Sequence, residues 1–70
     1  MMYDMIEEMC SLLYSDEPQN GMELFLANAA GLAGVEGAAQ WINPLFDAAD
    51  RGDYLYMADI LRYELLPKVT

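Results

Sequence analysis

Three aspartates, Asp47, Asp50 and Asp53, crowd around Gly52, and their spacing invites a calcium reading. A calcium loop of the EF-hand type needs oxygen ligands at its first, third and fifth positions and a glutamate at the twelfth. Counted from Asp47, the third position is Ala49 and the twelfth is Ala58, so the pattern fails. A helix C-terminus, a turn and an N-cap account for these residues better. Gly31, Gly34 and Gly37 have the rhythm of a glycine-rich phosphate loop, but no strand precedes them and no cations accompany them. The reading for this run is small residues that let two helices approach, or glycines that end a helix. Cys10, on a Met-rich helical face, reads as a small core residue rather than a reactive thiol. The twelve carboxylates could supply an acid/base pair, yet spacing singles out none, and no histidine exists to build a nucleophile. The sequence therefore points away from an enzyme, a metal site or a bound cofactor.

Charge narrows the field further. Twelve acidic side chains face three basic ones, for a net charge of −9. Phosphates demand lysine and arginine, and only Arg51, Arg62 and Lys68 are available, so direct binding to nucleic acid or anionic lipid is not expected. The longest apolar-looking stretch, Met22 to Val35, is interrupted by Glu23 and Asn28 and falls short of the roughly 20 residues a membrane span needs. Asp4, Glu7 and Glu8 stand where a signal peptide would carry basic residues. A cytoplasmic protein with a reduced thiol is the expectation.

Seventy residues, 1–70, make a single domain. A chain this short buries only about 60% of the surface its unfolded form exposes, so burial and ordering entropy nearly cancel. Disulfides, a metal or a partner chain are the usual supplements. A lone cysteine and the absence of histidine remove the first two, which leaves a partner subunit. A hydrophobic content of 56% supplies the surface such a partner would cover.

The elements read as all-α, three or four short antiparallel helices, completed by a second chain. Met2 to Tyr14 carries Met2, Met5, Ile6, Met9 and Leu13 on one stripe, with Asp4, Glu7, Glu8 and Ser11 opposite. Ser15 to Gly21 is a polar break whose Asn20-Gly21 is turn chemistry, although Pro18 also suits the first turn of the next helix. That helix runs from Gln19 or Met22 to near Ala33. Glycine costs about 1 kcal/mol per helical position, so a break near Gly34 is expected rather than continuity through Gly37. A third helix starts around Val35 to Gly37 and bears Trp41, Ile42, Leu45, Phe46 and Ala49, with Pro44 either kinking it or marking its first turn. Arg51-Gly52 ends it, the glycine free to take positive φ. Asp53 caps a last helix, Tyr54 to Leu66, whose strictest stripe is Leu55, Ala58, Leu61 and Leu65 and which Pro67 stops. Asp59 and Arg62 are placed as an i,i+3 ion pair on its wet side.

Methionine suits adaptable interfaces as well as irregular cores, and tyrosine offers contact area with a wet tip. Met2, Met5, Met9 and Leu13 are therefore candidates for core or homodimer packing, and Tyr56 and Tyr63, seven apart, for the rim of an interface.

The segment from Leu45 to Pro67, with Gly52-Asp53-Tyr54 and Glu64-Leu65-Leu66-Pro67 as its most specific parts, resembles the end of small uncharacterised helical domains of Gram-positive bacteria. The resemblance covers about the last 25 residues and does not extend to the Gly/Ala-rich middle or to Pro44. It implies a helical bundle and brings no catalytic residue with it.

The expected function is a small acidic protein-interaction module, an adaptor or dimerisation unit that binds itself as a homodimer or binds another protein. The alternative is an acidic inhibitor of a nucleic-acid-binding protein, a DNA mimic or phage anti-defence protein whose carboxylates imitate phosphates. Against that alternative, the carboxylates are scattered along the chain rather than gathered.

Overall fold

A computed structural model describes residues 2–70. Four helices follow one another: α1 (Met2–Leu13), α2 (Pro18–Ala33), α3 (Ala39–Arg51) and α4 (Tyr54–Ile60). A π turn, Leu61–Leu65, and a 3-10 turn, Leu66–Lys68, prolong α4. There is no strand among the described residues, and no helix is long and apolar enough to cross a membrane. α1 packs against both α2 and α4, and α3 closes the bundle between α2 and α4.

Each helix buries the stripe that its periodicity marks. α1 gives Ile6, Met9, Cys10 and Leu13 to the core, α2 gives Phe25 and Leu32, and α3 gives Leu45 and Ala48. The last segment adds Met57, Ala58, Ile60, Leu61 and Leu65. Among the described residues no polar or charged side chain is buried, so the interior is wholly apolar. The accessible surface, 4130 Å², compares with about 4,400 Å² expected for a folded monomer of this mass. The radius of gyration, 10.5 Å, compares with about 11 Å for a compact chain of this length.

Local chemistry sets the helix ends. Ser15 Oγ accepts the Glu17 N–H at 3.1 Å and donates to the Leu12 carbonyl at 2.6 Å, which turns the chain into α2. Pro18 takes the first helical position, where its missing N–H costs nothing. Asn20-Gly21 is therefore not a turn but lies in the first turns of α2. A Cβ at Gly21 would stand 2.7 Å from Leu13 Cγ and 2.9 Å from the Leu13 backbone nitrogen, so glycine is there to let α1 and α2 meet. α2 ends at Gly34, as expected, and a chain of tight turns through Gly37 (φ +82°) leads to α3. This delays the start of α3 to Ala39. Gly52 (φ +71°) ends α3 in the left-handed conformation, and the Asp53 carboxylate accepts the Tyr56 N–H at 3.3 Å, both as their residue types predict.

Pro44 lies inside α3 rather than at its start. Pro67 does not end the last helix at Leu66. Its ring excludes the carbonyl four residues earlier from an α-helical bond, and the chain answers by widening before it and tightening around it. The Leu66 N–H reaches back five residues to the Leu61 carbonyl, and Pro67 sits within the following 3-10 turn. Two further expectations are corrected. Leu55, placed at the head of the buried stripe, is 62% exposed, because it stands in the first turn of α4 where nothing packs outside it. Asp59 and Arg62 make no ion pair: among the described residues the one pair formed is Arg51–Asp47, at 3.5 Å and exposed. Asp59 instead accepts the Tyr14 hydroxyl at 2.9 Å, tying the end of α1 to α4.

Candidate functional site

With an apolar interior, any function must be carried by the surface, and the bundle gathers large apolar side chains on two separate faces, with Tyr14 and Leu55 exposed singly elsewhere. The first lies between α3 and α4. Tyr56, Ile60 and Tyr63 follow one another at four and three residues and so project from one side of the last helix. Trp41, from the first turn of α3, faces them across a hollow of about 230 Å³. Asp59 and Glu64 complete its wall. Tyr63 is 66% exposed and Tyr56 is exposed too, whereas Trp41 and Ile60 reach down to the core. The π turn matters here, because Tyr63 and Glu64 both belong to it and its wider winding sets where they emerge.

The second face lies between α2 and α3. Met22 and Leu26, one turn apart on α2, meet Phe46 and Ala49 of α3 around a hollow of about 320 Å³, with Asp50 as its single carboxylate. Leu26 and Phe46 are exposed at 48% and 41%. Phe46 is also rooted in the core, where its ring meets Phe25 edge-on at 5.2 Å between centroids.

A third depression, about 400 Å³, runs between α1 and the last helix, with Tyr3, Glu7, Glu8, Ser11, Tyr14 and Arg62 along it and Cys10 beneath. Its walls are mainly polar. The Cys10 thiol donates to the Ala58 carbonyl at 3.8 Å. Burial raises its pKa, Arg62 lowers it in part, and Glu7 and Asp59 raise it again. A nucleophilic cysteine needs the reverse shift. The Tyr14 hydroxyl is likewise pushed up, by partial burial first and then by its bond to Asp59. Both groups are held in their neutral forms.

The sequence candidates divide between inside and outside. Met9 and Leu13 lie in the core with no surface to offer. Met2 and Met5 are half-buried against that core. Tyr56 and Tyr63 come together with Trp41 on the α3/α4 face. Sequence reasoning passed over Trp41, Leu26 and Phe46 as interface residues. For Leu26 a signal existed, since it sits four residues after Met22 and off the Phe25–Leu32 stripe. Trp41 and Phe46 belong to the periodic face of α3 and carried no such mark. Among the described residues no three carboxylate, cysteine or histidine side chains converge on a point that a metal ion could occupy. Asp47 pairs with Arg51 and Asp53 caps α4 instead. Compared with known proteins, the chain matches no family model, no curated protein and no solved structure.

Proposed function

We propose that this chain is a protein-interaction module that acts without catalysis, as an adaptor or dimerisation unit in the cytoplasm. One observation carries the reading: large apolar side chains stand outside a core that is already enclosed, and they do so on two faces. Aromatic residues with an apolar body and a polar tip are the commonest anchors of protein interfaces, and Trp41, Tyr56 and Tyr63 form such a group. Two separate faces allow one partner to be held on each. Cys10, the one cysteine of the sequence, is a buried free thiol, which suits a reducing compartment.

Self-association belongs to the α2/α3 face in this reading. Asp50 is the one carboxylate lining that hollow, so two copies can bring Leu26 and Phe46 together with little like-charge contact. The remaining charge of −9 per chain still repels at a distance, and salt screens that repulsion. Sedimentation equilibrium on the full chain tests this. A monomer–dimer equilibrium that tightens as salt is raised is expected, and Leu26→Glu should return it to monomer. A monomer at every concentration and salt level would overturn self-association. The carboxylates sit on all four helices, including Asp4 and Glu7 on α1, Glu23 on α2, Asp47 on α3 and Asp59 on α4. That spread favours an interaction module over a mimic of a regular phosphate backbone.

A further inference from the structure

We infer that the α3/α4 hollow takes a cationic amphipathic helix of another protein, with apolar side chains against Trp41, Tyr56 and Tyr63 and lysine or arginine at the rim against Asp59 and Glu64. The inference rests on the interaction-module reading and adds the chemistry of the occupant. At about 230 Å³ the hollow is smaller than the roughly 300–1,000 Å³ of sites that enclose a small molecule. It suits one or two side chains from a segment laid along it, which is how a groove between helices receives an amphipathic helix.

Charge then selects the segment. Two of the hollow's lining residues are carboxylates, and none of the three basic side chains reaches it: Arg51 pairs with Asp47, Arg62 lies on the α1 side, and the Lys68 stem lies beside Gly37. The Tyr14 hydroxyl donates to Asp59 Oδ1 but is neutral, so the charge of Asp59 is not compensated. A second copy is a poor occupant, since a two-fold contact on this face would set Asp59 and Glu64 against their own images. A cation gains from the carboxylates, and its apolar stem gains from contact with Trp41, Tyr56 and Tyr63. The net charge of −9 draws it in from a distance.

Trp41 is the one tryptophan of the chain and lines the hollow, so its fluorescence reports occupancy directly. The full chain is titrated with three synthetic amphipathic helices of one apolar pattern, built on leucine with lysine, glutamine or glutamate, at low and at high salt. The leucine/lysine helix should shift the Trp41 emission saturably, and high salt should weaken it. The double variant Asp59→Asn, Glu64→Gln, its fold checked by circular dichroism, should lose about tenfold in affinity, as two exposed ion pairs at the strong end of their range imply. The charge-matched control Asp16→Asn, Glu36→Gln, at two exposed positions outside both hollows, should bind as the parent does. Equal binding of the lysine and glutamine helices, or no loss in the double variant, would overturn the cationic occupant and leave the interaction face standing. Failure of all three helices to move the Trp41 emission would remove both.

Discussion

One substitution, made at two positions of α2, should change stability in opposite directions. Gly21 and Gly31 are both in the body of this helix, and alanine is the better helix former by about 1 kcal/mol at either. At Gly31 nothing opposes that gain, because an added Cβ would meet only Met2 Cε, at an ordinary 3.8 Å. At Gly21 the same Cβ would lie 2.7 Å from Leu13 Cγ and 2.9 Å from the Leu13 nitrogen. The side chain could turn aside, but the backbone nitrogen cannot move without shifting the last turn of α1. Overpacking of this kind costs roughly 1–3 kcal/mol, and the backbone obstruction places Gly21 in the upper part of that range. After the propensity gain, Gly21→Ala should destabilise by about 1–2 kcal/mol, while Gly31→Ala should stabilise by about 0.5–1 kcal/mol. For a domain of this size the first amounts to a fall of about 5–15 °C in melting temperature and the second to a rise of a few degrees. Thermal unfolding followed at 222 nm, with urea titration to check the slope, measures both. If the two variants move in the same direction, Gly21 is not holding α1 and α2 at close approach and the packing argument fails.

Two other outcomes follow from the same structure. Leu55→Ser should change stability by no more than about 0.5 kcal/mol, whereas Leu61→Ala, six residues on and fully enclosed, should cost about 2–5 kcal/mol; comparable losses in a urea titration would mean that Leu55 is buried after all. Alkali should also lower the stability of the protein through Cys10 and Tyr14. Both have folded-state pKa values raised above their unfolded ones, so the stability they supply is complete below the unfolded values, about 8.5 and about 10, and is lost as pH rises through the folded ones. The paired variant Cys10→Ala, Tyr14→Phe should flatten that loss in a series of melts taken upward from pH 8, and an unchanged alkaline slope would contradict the assignment.

Much of this fold was legible because helical periodicity and end chemistry are local properties. Gly52 and Asp53 could be assigned from residue type alone, since a left-handed C-terminal glycine and a carboxylate cap need no tertiary partner. Gly21 was misread for the complementary reason. Asn-Gly is turn chemistry in isolation, and only the approach of Leu13 from another helix turns the glycine into a packing device. Leu55 continues the stripe of Ala58 and Leu61 perfectly well, but no element of the chain covers the first turn of α4 on that side. The α3/α4 hollow followed the same logic. Tyr56 and Tyr63 were visible as a pair on one helix, whereas Trp41 joins them only through the packing of α3 on α4, which no spacing along the chain encodes.

Pro67 links the end of the sequence to the face assigned to a partner. Tyr63 keeps to the side of the helix that Tyr56 and Ile60 occupy, and Glu64 emerges beside it. Pro67 has no N–H to give to the Tyr63 carbonyl, and the chain takes one wider winding before it, with the Leu66 N–H on the Leu61 carbonyl. Leu61 and Leu65 remain in the core, so the adjustment falls on Arg62, Tyr63 and Glu64, which point outward. Arg62 goes to the α1 side, and Tyr63 and Glu64 go to the α3 side. Arg62, the one cation of the π turn, stands apart from the aromatic hollow, whose carboxylates make no ion pair among the described residues. This is why the occupant can be argued from electrostatics, since apolar area alone would fit a second copy equally well.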